Sequence, residues 1–437
     1  MQELFFLADL GVRNTCNLFR ASRVGLTILY HLAKYALFGD YDTCMIELIQ
    51  ALSERGPIYV KVLQSLAGNT GFLSPTVQEF LTTFSDNVPY SDDEEHMDQI
   101  HKRLEFIKGK HPNLVVSNVS ENPIHSGTVS LVYSAMLGDT PVVIKCNRRG
   151  IRLKMIKAIE EAEYVVAALG LIPSIRTLNL PSILSENRLS LIDQTSMGYE
   201  LGNLKELRRN IQDRDYVIAP RPYPEFTESF DDMLVMDKIT GRRLNEVPVE
   251  DNEAYGTLIA HQCVDSIIKD GVYHADLHRG NILFIEGNDG AKKLGLLDFG
   301  IMGRLSESEK LTLSSFFISL GMGNYDDVVS SLIATVINGD ALSAMNPIER
   351  KRMVADLVTL TEDACSSRDG FTPQHMRHIN DVFTEHGLKL APVFCRIELA
   401  LAMNMSVSKS LETKEKNYMS YLRDVIKEKM DLTVYNV

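Results

Sequence analysis

Apolar residues recur at helical spacing through the first quarter of the chain. MIELIQALSERG (Met45 to Gly56) repeats them every three or four positions and stops at a glycine, which predicts a helix. Before PTVQEFLTTF, the pair Ser74-Pro75 is a start signal, with Ser at the N-cap and Pro at the first helical position. The acidic run Ser91 to Glu95 predicts the solvated start of another helix, because carboxylates favour the positive end of its dipole. Residues 1–110 therefore read as helices.

The pattern changes near Val115. SLVYSAML (Ser130 to Leu137) and PVVIKC (Pro141 to Cys146) are short β-rich runs split by Gly138-Asp139, a hairpin signal. Helical text follows over Arg152 to Leu169 and Tyr199 to Ile211. MLVMDKI (Met233 to Ile239) predicts a buried strand stopped by Thr240-Gly241, and Tyr255 to Lys269 predicts a helix. ILFIE (Ile282 to Glu286) and KKLGLLD (Lys292 to Asp298) bracket the turn Gly287-Asn288-Asp289-Gly290, a second hairpin. Everything after Glu307 reads as helix. Helices, a small sheet with helices, a hairpin and more helices make an α+β chain rather than a βαβ array.

At 437 residues the chain is long enough for two or three lobes. Its 45 basic and 58 acidic residues leave a formal net charge of −13, which argues against a general nucleic-acid or anionic-lipid binder. The six cysteines (Cys16, Cys44, Cys146, Cys263, Cys365 and Cys395) are scattered and read as reduced core residues. No secretory signal is visible, and Gly25 to Gly39 is interrupted by His31 and Lys34, short of a membrane span. This acid-poor stretch reads as a helix packed on its own domain with its basic residues in solvent; the alternative is an interfacial amphipathic helix.

The strongest chemical signal is HADLHRGNILF (His274 to Phe284) followed by LLDFG (Leu296 to Gly300). A hairpin returns the chain to its start, so Asn281 at one end and Asp298 at the other fall side by side, with Asp276 in the adjoining polar loop. Two oxygen ligands on one rim beside a free carboxylate suit Mg²⁺, which prefers hard oxygens and shares its shell with phosphates. That combination suits phosphoryl transfer, with Asp276 orienting the nucleophile and Asn281 and Asp298 as metal ligands. Lys145 sits in an apolar strand and needs an anion, either a carboxylate or phosphate oxygens. Glu200, in YELGNL, is its helical partner. Ser126-Gly127-Thr128 are small residues that let backbone amides approach phosphate. Met236 to Gly241 is the strand whose backbone would hold an adenine, with Met236 and Lys238 at the contact. His375 and His378 read as surface helix. Arg148, Arg149, Arg152, Lys154 and Lys157 read as a solvated basic face, with an anionic headgroup or phosphate as the alternative.

These segments resemble the UbiB/ADCK family of atypical, protein-kinase-like proteins. PIHSGTVSLVY resembles its nucleotide loop, VVIKCNRRG its lysine strand, YELGN its Glu-x-x-Asn helix and YHADLHRGNILF its catalytic loop. GPIYVKVLQSL, with FLTTFSDNVPY beyond it, resembles the N-terminal lysine–glutamine signature, and GLKLAPVFCRIELAL the C-terminal helices. The resemblance implies a bilobal protein-kinase-like fold: an N-terminal helical extension (1–112), an N-lobe with a small antiparallel sheet (113–241) and a helical C-lobe (242–437). It implies ATP and Mg²⁺ as cofactors, kinase roles for Lys145, Glu200, Asp276, Asn281 and Asp298, and a regulatory pair in Lys61 and Gln64 that folds over the active site. It also implies a role in ubiquinone or isoprenoid-lipid metabolism, with an unidentified phospho-acceptor and a peripheral membrane or isoprenoid lipid as partners.

The chain departs from the family pattern at named positions. The signature glycine is Leu63, Gly127 and Thr128 stand in the alanine-rich loop, and His278-Arg279 replaces His-Pro. The family's Glu-x-Asp aligns with Gln194 and Ser196. Two other readings remain. A small-molecule phosphotransferase of the aminoglycoside or choline kinase type shares the catalytic loop but not the GPIYVKVLQ segment. A non-catalytic nucleotide-binding scaffold would keep the fold without turnover.

Overall fold

The computed structural model describes residues 23–31, 33–35, 37–68, 74–82, 88–94, 97–169, 180–336, 339–367, 373–388, 397, 401 and 404–434. Cys16, Cys395 and most of GLKLAPVFCRIELAL lie outside them. The chain forms two compact units: one of residues 1–202 and 221–238, the other of residues 203–220 and 239–437.

The first unit begins with helices, as the apolar spacing predicts. Described residues between 23 and 38 are helical, followed by α1 (Tyr41–Arg55), α2 (Pro57–Gly68), α3 (Pro75–Thr82) and α4 (Met97–Lys110). Asp40 caps α1 by accepting from Thr43 N, and Ser74 accepts from Val77 N at the start of α3. Leu48, Ile49 and Leu52 of α1 pack with Val60 of α2 and with Val77 and Leu81 of α3. The 23–38 helix packs on its own unit through Val24 and Ile28, as expected, but not with all its basic residues in solvent. Its Lys34 is held by Glu47 of α1, whereas Leu26, Leu29, Tyr30, Leu37 and Phe38 are exposed. Lys34 therefore meets a carboxylate, Arg23 is exposed, and these five apolar residues face solvent.

A five-stranded sheet follows, in which β1 (Val116–Ser117), β3 (Ser130–Leu137), β4 (Thr140–Asn147) and β6 (Met233–Asp237) lie in that order and β2 (His125–Ser126) also pairs with β3. Alternation decides its faces. Leu131, Tyr133 and Ala135 of β3 and Val142, Ile144 and Cys146 of β4 enter one core with Ile100, Leu104 and Ile107 of α4. Lys145, between Ile144 and Cys146, consequently points to the opposite face. The turn is the expected Gly138-Asp139, with Gly138 at φ +57°. α5 (Ile151–Leu169), α6 (Leu180–Asp193) and the start of α7 (Met197–Asn210) complete the unit, with α8 (Pro224–Ser229) packed beside β6 through Phe226. β6 stops at Asp237, short of the expected Ile239: Lys238 N still donates to Pro141 O opposite it, but Pro141 has no N–H to return and the ladder ends there.

In the second unit β5 (Val217–Ile218), β9 (Lys292–Leu296) and β8 (Ile282–Glu286) form one sheet. A two-stranded ladder pairs β7 (Val272–His274) with β10 (Met302–Arg304). α9 (Asn252–Val264) runs into a π-helical turn, Asp265–Asp270, that Gly271 closes at φ +66°. The C-terminal half is helical: α10 (Glu307–Met322), α11 (Tyr325–Ala334), α12 (Gly339–Ala344), α13 (Pro347–Ser366), α14 (Pro373–Glu385) and α15 (Tyr418–Val434). α14 carries His375 and His378, and no group of three metal-ligating side chains occurs among the described residues. No helix among them is long and apolar enough to cross a membrane.

Cys44, Cys146, Cys263 and Cys365 are free and buried, and burial pushes the Cys146 thiol up to about 12. Burial raises Cys263 and Cys365 as well, and thiols so raised stay protonated and unreactive.

α15 packs against α9 and α10 at glycines. A Cβ on Gly256 would lie 2.5 Å from Tyr421 Cε2, and one on Gly321 would lie 2.5 Å from Ile426 Cγ2. Gly256→Ala is expected to lower unfolding stability by about 1–3 kcal/mol, the usual cost of overpacking a filled core. Urea denaturation checks this, and an unchanged midpoint would mean that Tyr421 swings aside without cost.

Candidate active site

In the second unit the site is built around a histidine at the end of β7. His274 is buried; its Nδ1 accepts from Asp276 N at 3.1 Å and its Nε2 bonds Asp298 O at 2.7 Å. An acceptor at Nδ1 requires the proton on Nε2, so the ring is neutral and donates to the carbonyl. Burial lowers its pKa, outweighing the nearby Asp276 and Asp298 carboxylates that raise it. One imidazole thus fixes the backbone on both sides, at Asp276 and at Asp298.

The rest of the loop is equally constrained. His278 N donates to Asp276 O, Asn281 N to His278 O, and Gly280 N to His278 Nδ1. Asn281 Nδ2 donates to Asp276 O at 2.9 Å. β8 and β9 pair Ile282 with Leu296, and Leu297 N donates to Asn281 O at 3.0 Å. Regular strand ends at Leu296, so Asp298 lies in the loop just beyond rather than terminating the strand. Asn281 and Asp298 are still brought to the same end of the hairpin, with Asp276 tied to Asn281. Asp298 Oδ1 accepts from Gly300 N at 2.8 Å. With Nδ2 of Asn281 engaged, its Oδ1 would face a cation, beside the carboxylate of Asp298. An amide oxygen and a carboxylate oxygen are the hard ligands that Mg²⁺ takes while retaining waters, so the residues fit that ion.

Asn203 and Arg304 extend this wiring. Asn203, the asparagine of the Glu-x-x-Asn segment, is buried and donates Nδ2 to Phe299 O at 2.7 Å, and Arg304 Nη2 donates to its Oδ1 at 2.8 Å. The residue after Asp298 is therefore held by a side chain from α7. Sequence reasoning did not assign Asn203 a role, although its spacing from Glu200 was the available signal.

In the first unit, Lys145 Nζ donates to Glu200 Oε1 at 2.7 Å. Both are buried, with 6% and 3% of their surface exposed. Four hydrogen bonds carry Glu200 to this place. Asn147 Nδ2 donates to Thr195 O at 2.6 Å, anchoring the entry to α7 beside β4. Ser196 Oγ caps α7 by accepting from Tyr199 N, and Asp231 accepts from Ser196 Oγ and Gly198 N. Asp231, on the turn before β6, thus brings a carboxylate to the segment where Gln194 and Ser196 stand in place of acids. Gln194 itself donates to Ser190 O.

Ser126 is buried at the end of β2; its hydroxyl donates to Val88 O and accepts from Arg148 Nη2. Gly127 N donates to Ser130 O at 2.9 Å, closing the turn that contains Thr128. Met236 is buried in β6, whereas Lys238 is exposed. The amides of Asp237 and Lys238 are engaged by Arg221 O and Pro141 O.

Lys61 lies half-buried on α2, which packs on α5 and α6 through Ile58 and Val62. Gln64 follows on the same helix, and its side chain lies outside the described residues. Within the basic run Arg149, Arg152 and Lys154 are exposed, as a solvated face requires, with Arg149 paired to Asp98 and Lys154 to Glu94; Arg148 departs from that expectation, buried with 2% of its surface exposed. Glu94 is correspondingly no solvated helix start. Asp92–Glu94 form a separate 3₁₀ turn ahead of α4, with Glu94 bound to both Arg148 and Lys154.

Residues 83–332 match the ABC1 atypical kinase-like domain. Probable protein kinase UbiB of Klebsiella pneumoniae (strain 342) is 30% identical over 290 residues, covering 64% of this chain and 52% of the relative. The same protein of a second Klebsiella pneumoniae strain (ATCC 700721 / MGH 78578) matches to the same extent. The chain spans about half the length of these curated relatives. Among solved structures, Rv3197 in complex with erythromycin, from Mycobacterium tuberculosis, aligns over 92% of this chain and 97% of that one, at 15% identity and a TM-score of 0.48. That likeness is too distant to add to the sequence match. With the match covering more than half its length, and with the catalytic loop, lysine strand and Glu-x-x-Asn helix all inside it, the chain belongs to the ABC1 atypical kinase-like family.

Proposed function

We propose that the protein is a Mg-ATP-dependent phosphotransferase or ATPase of the UbiB type. The carrying observation is the loop His274 to Asn281, in which one neutral imidazole fixes the backbone at Asp276 and Asp298 while Asn281 is tied to Asp276. In this reading Asp276 orients the nucleophilic hydroxyl or water and accepts its proton. Asn281 and Asp298 would hold Mg²⁺, which when bound offsets phosphate charge. Lys145 donates to phosphate oxygens, and Glu200 keeps its ammonium in place. Ser126, Gly127 and Thr128 form the phosphate turn, Met236 and Lys238 flank the adenine, and Lys61 and Gln64 are regulatory. The division into an extension (1–112), N-lobe (113–241) and C-lobe (242–437) belongs to the same reading.

The UbiB relatives support a role in ubiquinone or isoprenoid-lipid metabolism, with the phospho-acceptor unidentified. A peripheral membrane or isoprenoid lipid is the proposed partner, and the exposed Leu26, Leu29, Tyr30, Leu37 and Phe38 support it.

Asp298→Asn is expected to abolish the Mg²⁺-dependent part of ATP binding without unfolding the chain. The check is thermal shift with Mg-ATP and with EDTA; a wild-type Mg²⁺ effect in the variant would remove Asp298 from the metal site. Asp276→Asn should retain nucleotide binding and lower phosphate release by ~10²–10⁴-fold, the usual worth of a positioned base. Equal turnover would exclude it from the mechanism. Lys145→Met should weaken ATP binding, read by titration calorimetry; undiminished affinity would refute its phosphate role.

A further inference from the structure

Arg148 has a side chain 1% exposed, yet every guanidinium N–H in it is matched. Nε donates to Gly127 O at 2.9 Å. Nη1 donates to Pro89 O at 2.9 Å and to Glu94 Oε2 at 2.8 Å. Nη2 donates to Val88 O at 3.0 Å and to Ser126 Oγ at 2.9 Å. Five donors meet five acceptors, the full capacity of the group. None is left for a phosphate or a lipid headgroup, which excludes Arg148 as a direct anion ligand.

The backbone repeats the same connections. Arg148 N donates to Val129 O at 2.8 Å, Val88 N to Ser126 O at 2.8 Å, and Arg149 N to Glu94 O at 3.2 Å. The turn from Ser126 to Ser130 is therefore held on one side by the exit of β4 and on the other by residues 88–94. Glu94 supplies the counter-charge and is itself bound by Lys154. Burial raises the Glu94 pKa, but the Lys154 hydrogen bond and the Arg148 charge outweigh it and leave the carboxyl ionised more readily than usual.

An apolar residue here would leave the carbonyls of Val88, Pro89 and Gly127 without this donor in a closed site. A lysine would offer three donors from one point and could not match the five acceptors that the guanidinium meets across residues 88–94 and the Ser126–Gly127 turn. We propose that Arg148 is a positioning residue for nucleotide phosphates: it fixes the Ser126–Thr128 turn by locking it to residues 88–94. The inference rests on the reading of that turn as the phosphate site. Its chemistry is preorganisation, since amides that must meet phosphate bind it more tightly when the turn is already fixed. Arg148 lies three residues beyond Lys145 on the same strand exit, so one element sets both the lysine and the turn.

The test measures the affinity of the full chain for Mg-ATP and, by competition, for adenosine. Arg148→Lys is expected to weaken Mg-ATP by about tenfold or more, the worth of a lost charge-assisted bond, while leaving adenosine within about twofold. Glu94→Gln keeps the side-chain shape but removes the charge, and should weaken Mg-ATP in the same direction by a smaller factor. If Arg148→Lys does not fold, Glu94→Gln decides. Unchanged Mg-ATP affinity, or a loss shared equally by adenosine, overturns the positioning role. If wild type binds Mg-ATP and Lys145→Met weakens it while the Arg148 and Glu94 variants do not, only this inference fails. If wild type binds neither ligand, the nucleotide reading falls and the inference with it.

Discussion

A lysine ammonium with 6% of its surface exposed cannot remain charged without a close anion, and in this chain Glu200 lies 2.7 Å from it. The requirement shapes the first unit. Alternation along β4 sends Ile144 and Cys146 into the apolar core and turns Lys145 to the other face. α7 must then begin where its first turn reaches that face. The Asn147 bond to Thr195 O, the Ser196 cap and the Asp231 carboxylate all act at this start. Each contact is modest by itself, about 0.5–1.5 kcal/mol for a neutral hydrogen bond and about 1.5–3 kcal/mol for one to a carboxylate. Their joint effect is to fix the helix so that a buried charge pair has good geometry. Truncating one partner of such a pair leaves the other charge buried, which costs about 3–5 kcal/mol.

The second unit uses a neutral group for the corresponding task. His274 holds the backbone at Asp276 and Asp298 through its two ring nitrogens, and burial favours the uncharged form that this pattern needs. Asp276 and Asp298 thereby keep defined positions without any charge from the ring. Asn203 and Arg304 fix the next residue, Phe299, from α7 and β10. The departure His278-Arg279 leaves this arrangement intact, because the loop bonds run through His278 backbone and Nδ1, and Arg279 is exposed.

Two misreadings share one cause. Arg148, in the basic run after Lys145, and Glu94, in the acidic run at 91–95, each look solvated when read locally, since most residues of a charge run are. In the folded chain Arg148 and Glu94 meet each other, separated by 54 residues, and close a buried network. In the early helix Lys34 pairs with Glu47 and Val24 enters the core, while Leu26, Leu29, Tyr30, Leu37 and Phe38 are left exposed. In each case the partner decides whether a charge is buried, and the partner is remote in sequence.

The sequence alone determined the elements and which residues the second hairpin brings together beside the loop from His274 to Asn281. Period-two alternation in SLVYSAML and PVVIKC fixed the sheet face of Lys145, and Gly138-Asp139 and Gly287 to Gly290 fixed the two hairpins. Hairpin closure then required Asn281 and Asp298 to share one end. Such features depend on residues a few positions apart, or on antiparallel return across a short turn, so a linear pattern suffices to read them. Tertiary structure alone decided that Arg148 joins residues 88–94 to the Ser126–Gly127 turn, that Asp231 stands beside Ser196, that Asn203 supports Phe299 and that His274 bridges Asp276 and Asp298. Those contacts join segments with no common period, and they form only once packed cores have brought distant backbone carbonyls and carboxylates within hydrogen-bond reach.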